Sequence, residues 1–148
     1  MTFQDTCVFC KDLNRLEDQT VFRDDDVLVF VNHEPLKDGH LLVLPVRHAE
    51  ELGDLEPVEA QKFLQALQAC MAMIEKQHSD PPICHINGWK YRSERHLHAH
   101  VLPSKRSLRG LFSVSEGVPE RVPADSHTLR AMAVRLRPAF EQELRSMS

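Results

Sequence analysis

His96-Leu97-His98-Ala99-His100-Val101-Leu102 is the stretch around which the rest of this chain is read. Side chains of an extended strand alternate between its two faces, so the three histidines share one face while Leu97, Ala99 and Val101 share the other. At strand spacing, neighbouring imidazoles stand roughly 7 Å apart in a row about 13 Å long. A single strand histidine is ordinarily a packing residue. Three in strict alternation, backed by an apolar face, call for chemistry, and imidazole supplies two kinds. It binds metal ions, and near neutral pH it acts as nucleophile or proton carrier.

The flanking sequence gives this strand, read as Arg95 to Leu102, its neighbours. Val27-Leu28-Val29-Phe30-Val31 follows three aspartates and is rich in β-branched residues, as a buried strand is. Asn32-His33-Glu34-Pro35 and Lys37-Asp38-Gly39 are turn chemistry, and Leu41 to Val46 forms the next strand, antiparallel to the first. Pro57 opens a helix that runs to about Gln77, with Phe63, Leu67, Met71 and Ile74 as its apolar stripe and Cys70 beside it. Pro81-Pro82 ends that segment, and Ile83 to Ile86 is a third strand before the Asn87-Gly88 turn. Ser126 to about Arg137 reads as a second helix, which Pro138 should kink or restart. The predicted order β-β-α-β-β-α describes an α+β domain built on an antiparallel sheet.

At 148 residues the chain suits one domain, 1–148, with a core that needs no disulfide. Its net charge of -4 argues against broad nucleic-acid binding, which calls for a large basic surface. The charge is unevenly spread: residues 1–60 balance to -9, whereas Lys90, Arg92, Arg95, Lys105, Arg106 and Arg109 form a basic stretch opposed there only by Glu94. That pattern is either a solvated face or a local field for a small anion such as phosphate. Residues 1–5 show no export signal and no apolar run is long enough to span a bilayer, so a cytoplasmic protein with reduced thiols is expected. Cys7-Val8-Phe9-Cys10 has the spacing of a redox pair or a zinc knuckle. No strand precedes it, which disfavours redox chemistry, and two ordinary thiols are the third reading. Cys70 and Cys84, in apolar surroundings, read as inert core cysteines.

His-Leu-His-Ala-His-Val-Leu resembles the signature motif of the histidine-triad family. Phe30 to Pro35, Gly39 to Pro45 and His48 resemble the family's N-terminal signature, and Cys7 to Cys10 resembles the start of its zinc-containing bacterial members. The resemblance spans residues 7 to 103. It implies the family fold, an antiparallel sheet with one long central helix, here with a C-terminal helix besides. It also implies a hydrolase or transferase acting at a nucleotide α-phosphate through a covalent nucleotidyl-histidine, on an AMP-like purine nucleotide. His98 would be the nucleophile and His100 would contact phosphate or assist the leaving group. Asn32 would hold the ribose hydroxyls, and Val29, Phe30 and His33 would line the base pocket. Ser93 and Asn87 would lie near phosphate, with Arg92 a further phosphate contact. His40 would orient or pack.

The same resemblance assigns Cys7, Cys10, His48 and His96 to a structural zinc ion, and it implies a homodimer without membrane attachment. Before the triad, Asn87 to Arg95 departs from the family's usual Gly-Gln loop and is nearer in character to the aprataxin-like branch. Two alternatives follow: removal of adenylate from nucleic-acid ends, and a catalytically silent module that only binds a nucleotide or a partner. Trp89 and Tyr91 would stack on a base or anchor the loop, the latter being the expectation. Residues 104–148 carry no readable motif, and His78, His85 and His127 read as incidental.

Overall fold

The computed structural model describes residues 6–11, 17–119 and 121–147. It divides into two compact units, Met1–Lys105 and Arg106–Ser148. In the first unit, five strands form one antiparallel sheet: β1 (Thr20–Arg23), β2 (Val27–Val31), β3 (Leu41–Pro45), β4 (Pro82–His85) and β5 (Ala99–Pro103), in the order β1-β2-β3-β5-β4. The helical turn α1 (Val8–Lys11) precedes the sheet, and the long helix α2 (Pro57–Gln77) stands between β3 and β4 in sequence. No helix among the described residues is long and apolar enough to cross a membrane.

Two apolar clusters lie on the two faces. Val27, Val29, Leu41, Val43, Leu97, Ala99 and Val101 pack with Phe63, Ala66, Cys70 and Ile74 of α2. Leu28, Phe30, Leu42 and Leu44 pack on the other face with Cys7 and Phe9. The buried line of α2 therefore runs through Ala66 and Cys70, while Leu67 and Met71 are only partly buried at its margin. The stripe expected through Phe63, Leu67, Met71 and Ile74 thus holds at Phe63 and Ile74 and shifts to Ala66 and Cys70 between them.

Glu59 joins the helix start to the sheet. It accepts from the Glu56 N–H (2.8 Å) and from Arg47 at both carboxylate oxygens (2.8 and 2.6 Å). The β1–β2 turn is closed by Asp24, whose Oδ1 accepts from the Asp26 and Val27 amides, each at 2.8 Å. Between β2 and β3, Gly39 has φ +83°, and a Cβ there would stand 2.5 Å from the His78 ring. Only glycine meets both demands.

Cys84, expected in the core, is exposed on β4, and four expectations about the extent of the elements are corrected. β1 is an additional strand; it is a four-residue, largely exposed edge with a bulge, and so carries no alternating apolar signal. The triad strand expected over 95–102 enters the ladder only at Ala99, because the Leu97 N–H donates to the Ala49 carbonyl (2.7 Å) outside β3. The faces alternate all the same: Leu97, Ala99 and Val101 pack with the α2 residues, while the His96 and His98 rings meet Phe9 on the other side.

The other two corrections lie in the second unit. It contains α3 (Leu108–Glu116), not foreseen, which is capped by Ser107 and closed by Gly117 at φ +66°. In α4 (Ser126–Ser146) the helix continues through Pro138 without restarting. Proline removes one N–H, and Val134, whose carbonyl would have accepted it, is an exposed residue.

Candidate active site and metal centre

The face of the sheet opposite α2 carries the histidines. His98 is 5% exposed, and its Nδ1 lies 2.7 Å from the His96 carbonyl. A carbonyl only accepts, so Nδ1 carries the proton and Nε2 keeps its lone pair. Burial holds the His98 pKa below the ordinary imidazole value, so the neutral form prevails at pH 7. The backbone that leaves the ladder at this point thus supplies the acceptor that selects the tautomer.

His100 is held through His40. The Leu36 N–H donates to His40 Nδ1 (3.1 Å), which fixes the neutral His40 proton on Nε2. That nitrogen is 2.9 Å from His100 Nδ1 and donates to it, so His100 carries its own proton on Nε2. His40 is 1% exposed and burial lowers its pKa. Burial, with His98, His40 and His85 nearby, pushes His100 down to about 4. The result is a fixed pair of roles: His98 offers a lone pair and His100 offers an N–H.

Asn32 is partly buried beside this relay, its Oδ1 accepting from Glu34 N–H (3.1 Å) and its Nδ2 3.4 Å from His40 Nε2. His33 is exposed at the same turn. Phe30 is 1% exposed and packs on Phe9, with ring centroids 5.8 Å apart, so it forms core beneath the site. Val29 faces α2, away from the histidines.

In the loop before β5, Asn87 is partly buried and Ser93 exposed. Arg92 has a side chain only 2% exposed. It donates to the Asn87 carbonyl (2.8 Å), to the Glu50 carbonyl and to the Glu51 carboxylate (3.0 Å). Arg95 pairs with Glu50 at 3.0 Å. Two cations of the basic stretch are therefore engaged in anchoring the loop, where an open phosphate contact was expected of Arg92. Trp89 and Tyr91 are exposed on a 3-10 turn.

His96 belongs to a second constellation. Its Nε2 is bonded to the Pro45 carbonyl (2.8 Å), leaving Nδ1 toward Cys7 Sγ (3.4 Å) and Cys10 Sγ (3.5 Å). His48 Nδ1 is 3.3 Å from Cys10 Sγ. One ligand atom from each of Cys7, Cys10, His48 and His96 lies within 4.8 Å of all the others, so the four could hold a metal ion. Tetrahedral zinc, with bonds near 2.3 Å to sulfur and 2.0–2.1 Å to nitrogen, sets S···N edges of about 3.6 Å. The observed 3.3–3.5 Å edges fit that size.

One histidine donor has the second partner that metal ligands need: Pro45 orients His96. The buried His48 Nε2 has no hydrogen-bond partner among the described residues, with Glu50 Oε1 at 4.0 Å. Burial, reinforced by the neighbouring Cys7, pushes the Cys10 thiol up to about 12, which is the direction a bound cation reverses. Phe9, on the turn between the two cysteines and His98, meets the His96 and His98 rings edge-on at 5.8 and 5.5 Å.

The structure thus gathers His100 and Asn32 around His40, with the His98 ring 5.3 Å from that of His100, and gathers the four expected metal ligands into one cluster. It also brings in His85, read as incidental from sequence. His85 is register partner to His100 across β4–β5, and no single-strand pattern reveals that pairing.

The HIT domain family matches residues 14–107. An uncharacterized HIT-like protein of Methanocaldococcus jannaschii is 30% identical over 100 residues, covering 66% of this chain and 78% of that protein. An asymmetrical bis(5'-nucleosyl)-tetraphosphatase of Schizosaccharomyces pombe is 30% identical over 92 residues, 60% of this chain and 50% of that protein. A histidine triad nucleotide-binding protein of Candida albicans shares the fold, with a TM-score of 0.65 at 18% identity over 96% of this chain and 99% of that one. With its triad, its five-stranded sheet and this matched span, the chain belongs to the HIT family.

Proposed function

We propose that this protein is a nucleotide hydrolase that cleaves at the α-phosphate of a nucleoside phosphoramidate or a dinucleoside polyphosphate through a covalent nucleotidyl-histidine. The observation that carries the reading is the His98 Nδ1–H bonded to the His96 carbonyl, which leaves a neutral imidazole with a free Nε2 lone pair. In the first step Nε2 bonds to the α-phosphorus as the bond to the leaving nitrogen or oxygen breaks. The leaving atom takes the His100 Nε2 proton, and the His40 Nε2 proton is in place to follow onto His100 Nδ1. In the second step water attacks phosphorus and the Nε2–P bond breaks. The nucleoside monophosphate leaves and the proton lost by water restores the relay. Asn32 would take the ribose hydroxyls, with His33 at the base, and Asn87 and Ser93 would lie at the phosphate.

Cys7, Cys10, His48 and His96 would hold zinc as a closed Cys2His2 set, a structural role because no coordination position is left for water. Such a centre pins the N-terminal turn against the triad and belongs in a reducing compartment such as the cytoplasm. The β4 edge of the sheet, unpaired among the described residues, offers a second copy a strand to extend.

The test is His98→Ala with intact-protein mass detection. The variant should fold and bind AMP, yet lose turnover by at least about a thousandfold and form no adduct. Turnover near that of the unaltered protein would remove His98 as nucleophile, and the absence of adduct and product from the unaltered protein would favour a binding module.

A further inference from the structure

His85 ends β4 directly opposite His100. Opposed residues of an antiparallel pair project from the same face, with Cβ atoms roughly 5 Å apart. The exposed His85 side chain therefore stands on the histidine face of the sheet, at its outer margin. Its Nε2 lies 2.7 Å from Asn87 Oδ1. An amide oxygen only accepts, so Nε2–H donates and the Asn87 Nδ2 amine is left to face elsewhere. Asn87 lies two residues past the last β4–β5 pair, and the bond from His85 holds its side chain beside the ring that stands opposite His100. Asn87 is pinned at its backbone too, since its carbonyl accepts from the buried Arg92 at 2.8 Å.

We infer that His85 is a positioning residue for the phosphate end of the site: its bond to Asn87 Oδ1 holds the carboxamide with Nδ2 turned to donate to the α-phosphate of a bound nucleotide. The inference rests on the nucleotide reading above. An Asn side chain free to rotate presents oxygen as readily as nitrogen, and oxygen repels phosphate. His85 removes that ambiguity at a position where the backbone is already held.

The experiment has two arms. In the first, the Asn87 side-chain amide is followed by NMR in the ligand-free protein as His85 is titrated. Its resonance should move with the His85 ring and stop moving in His85→Ala; an amide indifferent to His85 overturns the clamp whatever the protein binds. In the second, AMP and adenosine affinities are compared across variants of verified fold. His85→Ala should weaken AMP by about three- to tenfold and leave adenosine unchanged, and Asn87→Ala should do the same. The double variant should lose no more than Asn87→Ala, and His85→Gln, which keeps a donor at the Nε2 position, should recover most of the AMP affinity. An AMP-to-adenosine ratio unchanged in His85→Ala, or additive losses in the double variant, overturns the inference. No preference for AMP over adenosine in the unaltered protein overturns the nucleotide reading and the phosphate role together, while the NMR arm still decides the clamp.

Discussion

Replacing His40 separates stability from proton placement. His40 is buried and makes two directed bonds, accepting from the Leu36 amide at 3.1 Å and donating to His100 Nδ1 at 2.9 Å. His40→Ala loses both and leaves the Leu36 amide and the part-buried His100 Nδ1 without these partners. At about 0.5–1.5 kcal/mol per bond, with an added cavity cost, the loss is about 2–4 kcal/mol. For a chain of this size, that lowers the melting temperature by roughly 5–15 °C.

The catalytic effect is of a different kind. Without the His40 donor, His100 is free to move its proton to Nδ1, and a bias of about 1 kcal/mol toward the Nε2–H tautomer, roughly fivefold in population, is lost. His40→Gln keeps a donor at the Nε2 position but not the acceptor for Leu36. It should therefore recover most of kcat while recovering only part of the stability. The assay is steady-state hydrolysis of an AMP amidate, at a temperature where all variants are folded, beside thermal melts. Should His40→Ala melt lower yet retain full kcat, His40 is a packing residue and the tautomer argument fails.

Zinc analysis should find about one ion per chain, falling to none in Cys10→Ser. If free zinc exceeds its Kd a thousandfold, stripping it removes about 4 kcal/mol of stability; an unaltered melt after chelation, or protein purified without zinc, refutes the centre. Arg47 donates two bonds to Glu59 and holds its carboxyl below the usual value of 4.5. A carboxylate depressed on folding stabilises above its unfolded pKa and loses that contribution as pH falls through the folded one. Glu59→Gln should therefore cost about 1 kcal/mol at neutral pH, modest because Arg47 is half-exposed, and the gap to the unaltered protein should close in acid. A pH-independent gap in denaturant titrations contradicts this. Gly39→Ala forces a Cβ onto the His78 ring at positive φ and should cost about 1–3 kcal/mol by the same measurement; a neutral effect would show that the β2–β3 turn relaxes freely.

Much of the site was legible because its signals are local. Alternation of faces over residues 96–101 depends only on the two-residue period of an extended chain, and the packing partners keep it even where His96 and His98 lie outside the ladder. The Cys7–Cys10 spacing is equally local. Arg92 and Arg95 were misleading for the complementary reason: charge counted along the chain cannot show that Glu50 and Glu51 lie against them. The short edge strand β1 and the helix α3 were missed where burial is slight and the apolar pattern correspondingly faint.

The sequence by itself determined which residue types were available and which would share a face, because φ/ψ sterics impose a short period that needs no partner to act. Tertiary structure alone decided which ring nitrogen carries the proton. Four of them differ only in the atom that meets a given ring nitrogen: the Pro45 carbonyl for His96, the His96 carbonyl for His98, His40 for His100 and the Asn87 amide oxygen for His85. A neutral imidazole has one donor and one acceptor, and a neighbour brought close by folding selects which nitrogen is which.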